Sequence, residues 1–145
     1  MPTKKGSFPY FVHPRGVAYI VMEHNGTIDQ INAALAHDLL EDTETSFLEI
    51  ATVGNSMHVA ELCSELRNNK FSIAEIGKEK YLEEKLMRMS SDALLIKLAD
   101  MLYNSVDSPT EQAALRMMSN AKSVILKRRD VTEDHIQLAK LVFCS

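Results

Sequence analysis

A chain of 145 residues, 46% of them hydrophobic and with no long polar tract, carries apolar material for one core, so a single domain over residues 1–145 is expected. A formal net charge of -4, with acidic and basic residues interspersed, excludes the broad cationic face that grips a nucleic-acid polymer. Cys63 and Cys144 are the two cysteines and stand far apart, which excludes a disulfide framework and a thiolate zinc site and fits a reducing cytoplasm. No run resembles a secretory leader or a membrane span, so a soluble, unprocessed protein without a membrane partner is expected. Nothing in the sequence sets an oligomeric state.

The first ten residues read as loop, because Pro2, Gly6 and Pro9 interrupt them. Helix is predicted from near Pro14, with Val17, Ala18, Ile20 and Val21 at helical spacing and Asn25-Gly26 as the stop. Thr27 and Gln30 form a capping box that opens a helix running to about Glu41. Ser46 with Glu49 suggests a short helix closing at Gly54, and Met57 to Leu66 an amphipathic one. Asn68-Asn69 marks a turn, and Ile73 to Met89 is expected as one half-exposed helix striped by Leu82, Leu86 and Met89. Ser91 is the expected cap of the next helix, in which Ala93, Leu94, Ile96, Leu98 and Met101 surround Asp100. Ser108-Pro109-Thr110-Glu111 predicts a further helix reaching about Leu126, and a last one carries Ile136, Leu138, Ala139, Leu141 and Val142. No strand pattern competes, and the expected class is all-α with short connections.

The chemistry concentrates in Ala33-Ala34-Leu35-Ala36-His37-Asp38-Leu39-Leu40-Glu41-Asp42-Thr43. Residues four apart share a helix face, so His37 stacks over Glu41 and Asp38 over Asp42 among leucines. Three carboxylates and an imidazole packed so closely repel one another and lose hydration unless a cation offsets their charge. A divalent ion that leaves positions open for water or phosphate favours mixed imidazole and carboxylate ligands. His13, at a helix start, and Asp100, on another apolar helix, complete such a set with His37 and Asp38. A lone His-Asp pair is commonly a hydrogen-bonded core feature. The four positions together are far less easily accidental.

These residues resemble the HD-domain hydrolases, and within them the small single-domain hydrolases of the RelA/SpoT alarmone type. The resemblance runs through Lys4-Lys5, Pro9-Tyr10, His13-Pro14 and Val17-Ala18, then Ala33 to Thr43, then Leu95 to Asn104, and the proline-containing helix start that follows. It implies a compact HD helical bundle of roughly eight helices. It also implies one Mn²⁺, or another divalent metal, held by His13, His37, Asp38 and Asp100. Glu41 would act as general base on the attacking water and Asp42 would orient it. The expected reaction is hydrolysis of the 3′-pyrophosphate of (p)ppGpp to GDP or GTP and pyrophosphate.

For substrate, the resemblance points to Lys4, Lys5, Tyr10, Asn104 and Arg116. Lys4 stands where relatives carry arginine, exchanging a planar guanidinium that stacks on a base for a point charge. Solvated terminal lysines and a structural asparagine cap are the plain alternatives for these positions. The chain begins almost inside the motif, so an open site and a purely degradative role are expected. With Lys4, that openness keeps a second substrate in view, another phosphorylated nucleotide such as NADPH.

Overall fold

The computed structural model describes residues 12–42, 57–67, 70–106 and 110–144, with backbone alone at residues 12–14, 37–42, 70–71, 78–79, 105–106, 113 and 143–144. Among them are eight helices and no strand. They are α1 (Val12–Glu23), α2 (Ile28–Asp42), α3 (Met57–Leu66), α4 (Lys70–Ile76), α5 (Lys78–Arg88), α6 (Ser91–Val106), α7 (Glu111–Lys127) and α8 (Glu133–Cys144). The expected all-α class and helix number are both met. The predicted Ser46 to Gly54 helix, the Asn68-Asn69 turn and the Ser108-Pro109 start lie outside the described residues.

Helix α6 is the centre, packed against α1, α2, α3, α7 and α8. Its run from Ala93 to Met101 is buried at every position except half-buried Lys97, as its nearly continuous apolar sequence requires. Around it Val17 and Val21, Ala33 and Ala34, Val59 and Leu62, Val124, and Leu138 and Val142 close one hydrophobic core. The small side chains of α2 and Gly16 of α1 allow close helix approach. A Cβ on Gly16 would stand 2.2 Å from the Tyr103 ring of α6, so a side chain there requires that ring to shift.

The helix ends follow local chemistry. Helix α1 stops in a Schellman turn: Gly26 N–H donates to Val21 O (2.9 Å), Asn25 N–H to Met22 O (3.3 Å), and Asn25 takes the left-handed conformation at φ 64°. The Thr27/Gln30 capping box is present in both directions, Thr27 N–H to Gln30 Oε1 at 2.8 Å and Gln30 N–H to Thr27 Oγ1 at 3.1 Å. In α8 a histidine takes the glutamate's place in a similar box. Thr132 N–H donates to His135 Nδ1 (2.9 Å), which leaves the proton on Nε2, facing Ser91 O at 2.8 Å.

Two expectations need correction. The helix predicted from Ile73 to Met89 breaks at Gly77, whose φ of 89° lies where other residues are strained, giving the separate α4 and α5. The cap of α6 is Ser90 rather than Ser91: its Oγ accepts from Ala93 N–H at 3.2 Å, and its own N–H and hydroxyl donate to Glu65 of α3, each at 2.7 Å. Buried cations close two other ends. Lys85 Nζ donates to the Leu66 and Arg67 carbonyls at 2.7 Å each, and Arg128 donates to Leu86 O at 2.9 Å, so α3 and α5 end on positive charge. Cys63 is fully buried, and burial pushes its thiol up to about 11, as befits a core residue and not a metal ligand.

Two outcomes test this packing. Gly16→Ala should displace the Tyr103 ring and cost roughly 1–3 kcal/mol, read as a lower urea midpoint. His58 bridges α3 to α6 through Asp92 (3.1 Å), a bond that raises its pKa above the ordinary 6.5, with Glu61 and Asp29 adding to the rise. Its stabilisation is therefore complete below pH 6.5 and fades as pH climbs through the raised value. The difference in melting temperature between wild type and His58→Gln should shrink over that rise, and a difference independent of pH would contradict the bridge.

Candidate metal centre

The expected ligand positions lie on three helices, α1, α2 and α6, that pack on one another. Joined by residues 24–27 and packed along each other, α1 and α2 form an antiparallel helical hairpin. His13 lies ten residues before the end of α1 and His37 nine after the start of α2, so both stand roughly 14–15 Å from the turn at 1.5 Å per residue. The second register comes from Gln30, whose amide donates to the Asp92 carbonyl at 3.1 Å and ties the start of α2 to the start of α6. His37 is seven residues beyond that tie and Asp100 eight, which sets them roughly 10–12 Å along neighbouring helices.

The Tyr103 ring against Gly16 marks where α1 meets the last turn of α6. The positions of His13, of His37 and Asp38, and of Asp100 thus stand on three helices that pack on one another, α1, α2 and α6. Glu41 and Asp42 occupy the last turn of α2, one turn beyond His37 and Asp38. Of the side chains expected to ligate or catalyse, Asp100 is described; those of His13, His37, Asp38, Glu41 and Asp42 lie outside the described ones.

Asp100 is 8% exposed. Its Oδ2 accepts from Lys97 Nζ at 3.3 Å and from Asn104 Nδ2 at 3.4 Å, both on its own helix. Lys97 and Asp100 are spaced i,i+3 on α6, a spacing legible in the sequence once the helix is drawn. Asn104, expected on the substrate's side, is half-buried and holds Asp100. Arg116 is exposed on α7, whose packing partners are α5, α6 and α8, so it is not brought alongside α1 or α2. Lys4, Lys5 and Tyr10 lie outside the described residues. No described helix is long and apolar enough to cross a membrane.

This arrangement has counterparts. The crystal structure of lmo0812 from Listeria monocytogenes EGD-e superposes with a TM-score of 0.66 at 20% identity, covering 94% of this chain and 97% of that one, a likeness of fold. The guanosine-3′,5′-bis(diphosphate) 3′-pyrophosphohydrolase MESH1 of Danio rerio is 40% identical over 102 residues, and that of Homo sapiens 36% over 101. Each match takes in 68% of this chain and 55% of the relative, so the chain spans about half the length of these relatives. The bifunctional (p)ppGpp synthase/hydrolase SpoT of Escherichia coli K12 is 32% identical over 106 residues, 70% of this chain and 15% of that protein. Residues 10–105, from before α1 almost to the end of α6, match the HD domain, and the chain belongs to the HD domain family.

Proposed function

We propose that this protein is a metal-dependent phosphohydrolase that removes the 3′-pyrophosphate of (p)ppGpp, releasing GDP or GTP and pyrophosphate. The observation that carries this reading is the presence of His13, His37-Asp38 and Asp100 on three helices that pack on one another, in a chain of the HD domain family that is 40% identical over 102 residues to a protein named for that reaction. Two imidazoles and two carboxylates suit one divalent ion of the Mn²⁺ kind, and the buried Asp100 carboxylate, already approached by a cation, fits that use. His13, His37, Asp38 and Asp100 would hold it, with other divalent metals possible. When bound, such an ion offsets phosphate charge and eases deprotonation of water.

The remaining work falls to the chain's own groups. In the reaction a water oxygen bonds to the phosphorus next to the ribose, the bond from that phosphorus to the 3′ oxygen breaks, and the ribose oxygen gains a proton. Glu41, one turn past His37, accepts the water's proton as general base. Asp42 orients the water. Lys4 and Lys5 meet the diphosphates, Tyr10 packs against the nucleoside, and Asn104 links nucleotide contact to the alignment of Asp100. Arg116 is assigned to a phosphate. A cytoplasmic nucleotide pool belongs to the same reading.

Protein loaded with Mn²⁺ should convert ppGpp to GDP and pyrophosphate, followed by nucleotide chromatography. Absence of turnover would sink the proposal, and phosphate release from NADPH with ppGpp left intact would move the substrate to that alternative. Glu41→Gln should retain Mn²⁺ and lose roughly 10²- to 10⁴-fold in rate. His37→Ala and Asp100→Ala should instead lose the metal itself, as read by elemental analysis.

A further inference from the structure

Lys97 is the one half-buried position in the otherwise buried run of α6 from Ala93 to Met101, and its ammonium goes to Asp100. Its side chain is 20% exposed and that of Asp100 12%, and Nζ stands 3.3 Å from Oδ2. A carboxylate held this deep is costly unless positive charge lies near it. In a chain that binds a divalent ion at Asp100, the ion itself would provide that charge.

We infer that Lys97 is a charge placeholder, a positioning residue that neutralises Asp100 while the site holds no metal and competes electrostatically with the metal that replaces it. The inference rests on the metal-site reading of Asp100 given above. Its physical basis is that a fixed ammonium a few ångströms from a ligand carboxylate stabilises the metal-free protein more than the metal-bound one. In the bound protein it faces two further positive charges across a short, partly screened distance. Lys97 therefore lowers metal affinity while protecting the empty fold, and keeps the metal exchangeable. Asn104 aligns the same oxygen from the next turn without charge, so alignment survives the loss of Lys97.

Charge and hydrogen bonding are separable by substitution. Lys97→Gln keeps a donor and removes the charge, Lys97→Met removes both, and Lys97→Arg keeps both. Mn²⁺ titration by calorimetry, with melting temperatures of the metal-free proteins, should show tighter binding for Lys97→Gln and Lys97→Met, by roughly threefold or more. Both should melt lower than wild type when metal-free and gain more on adding Mn²⁺, by the linkage between binding and stability. Lys97→Arg should bind as wild type does. Unchanged or weaker binding by Lys97→Gln would overturn the inference, as would weaker binding by Lys97→Met beside unchanged Lys97→Gln, the pattern of a purely orienting hydrogen bond. A wild type that binds no Mn²⁺ would overturn the metal-site reading itself, a failure distinct from these.

Discussion

The Gln30 side chain holds one end of the whole arrangement. Its oxygen closes the capping box on Thr27, its nitrogen reaches the Asp92 carbonyl, and it is 4% exposed with both ends satisfied. Because an α-helix turns about 100° per residue, a slip of one residue at this tie would turn α2 by that angle against α6. A buried amide tolerates no such slip, since it would lose partners that water cannot replace. The start of α2 therefore fixes the register of that helix against α6.

At the other end the constraint is steric. Tyr103 lies where a side chain at residue 16 would be, so α1 meets α6 nearly backbone to ring. This contact and the Gln30 tie join α6 to α1 and to α2. Helix α6 can serve both because it is surrounded: α7 and α8 cover the sides that α1, α2 and α3 leave. Those two helices lie beyond the stretch that matches the HD domain and pack on α6 from outside it.

Charge inside this fold has distinct employments. Lys85 and Arg128 end helices by donating to carbonyls, and Arg128 is held in turn by Asp130, whose carboxyl it keeps below the ordinary carboxylate value. Lys97 and Asp100 form a pair within the run of α6 from Ala93 to Met101, whose other residues are apolar. A basic residue in this chain is thus as readily a helix cap as a phosphate contact. Its environment decides which, as Lys97 illustrates.

Much was legible from local pattern, because capping and helical periodicity are short-range physics. The Thr27/Gln30 box, the Asn25-Gly26 stop, the apolar stripe from Met57 to Leu66 and the buried run around Asp100 all stand in the structure as the sequence implies. So does the grouping of metal-capable residues on separate helices, and the HD family it resembles is the family it belongs to. The break at Gly77 was missed because strong helix formers on either side outweigh one glycine in any local count, whereas a positive φ is set by how α4 and α5 pack. Ser90 and Ser91 are equivalent as caps in sequence, and Glu65, distant along the chain, selects Ser90. The sequence by itself thus determined most of the helices and the family, through contacts and motifs a few residues long. Which helices meet, at what height, and that Lys97 faces Asp100 within a crowded core, only the tertiary structure decided, since burial and long-range hydrogen bonds arise when the segments pack.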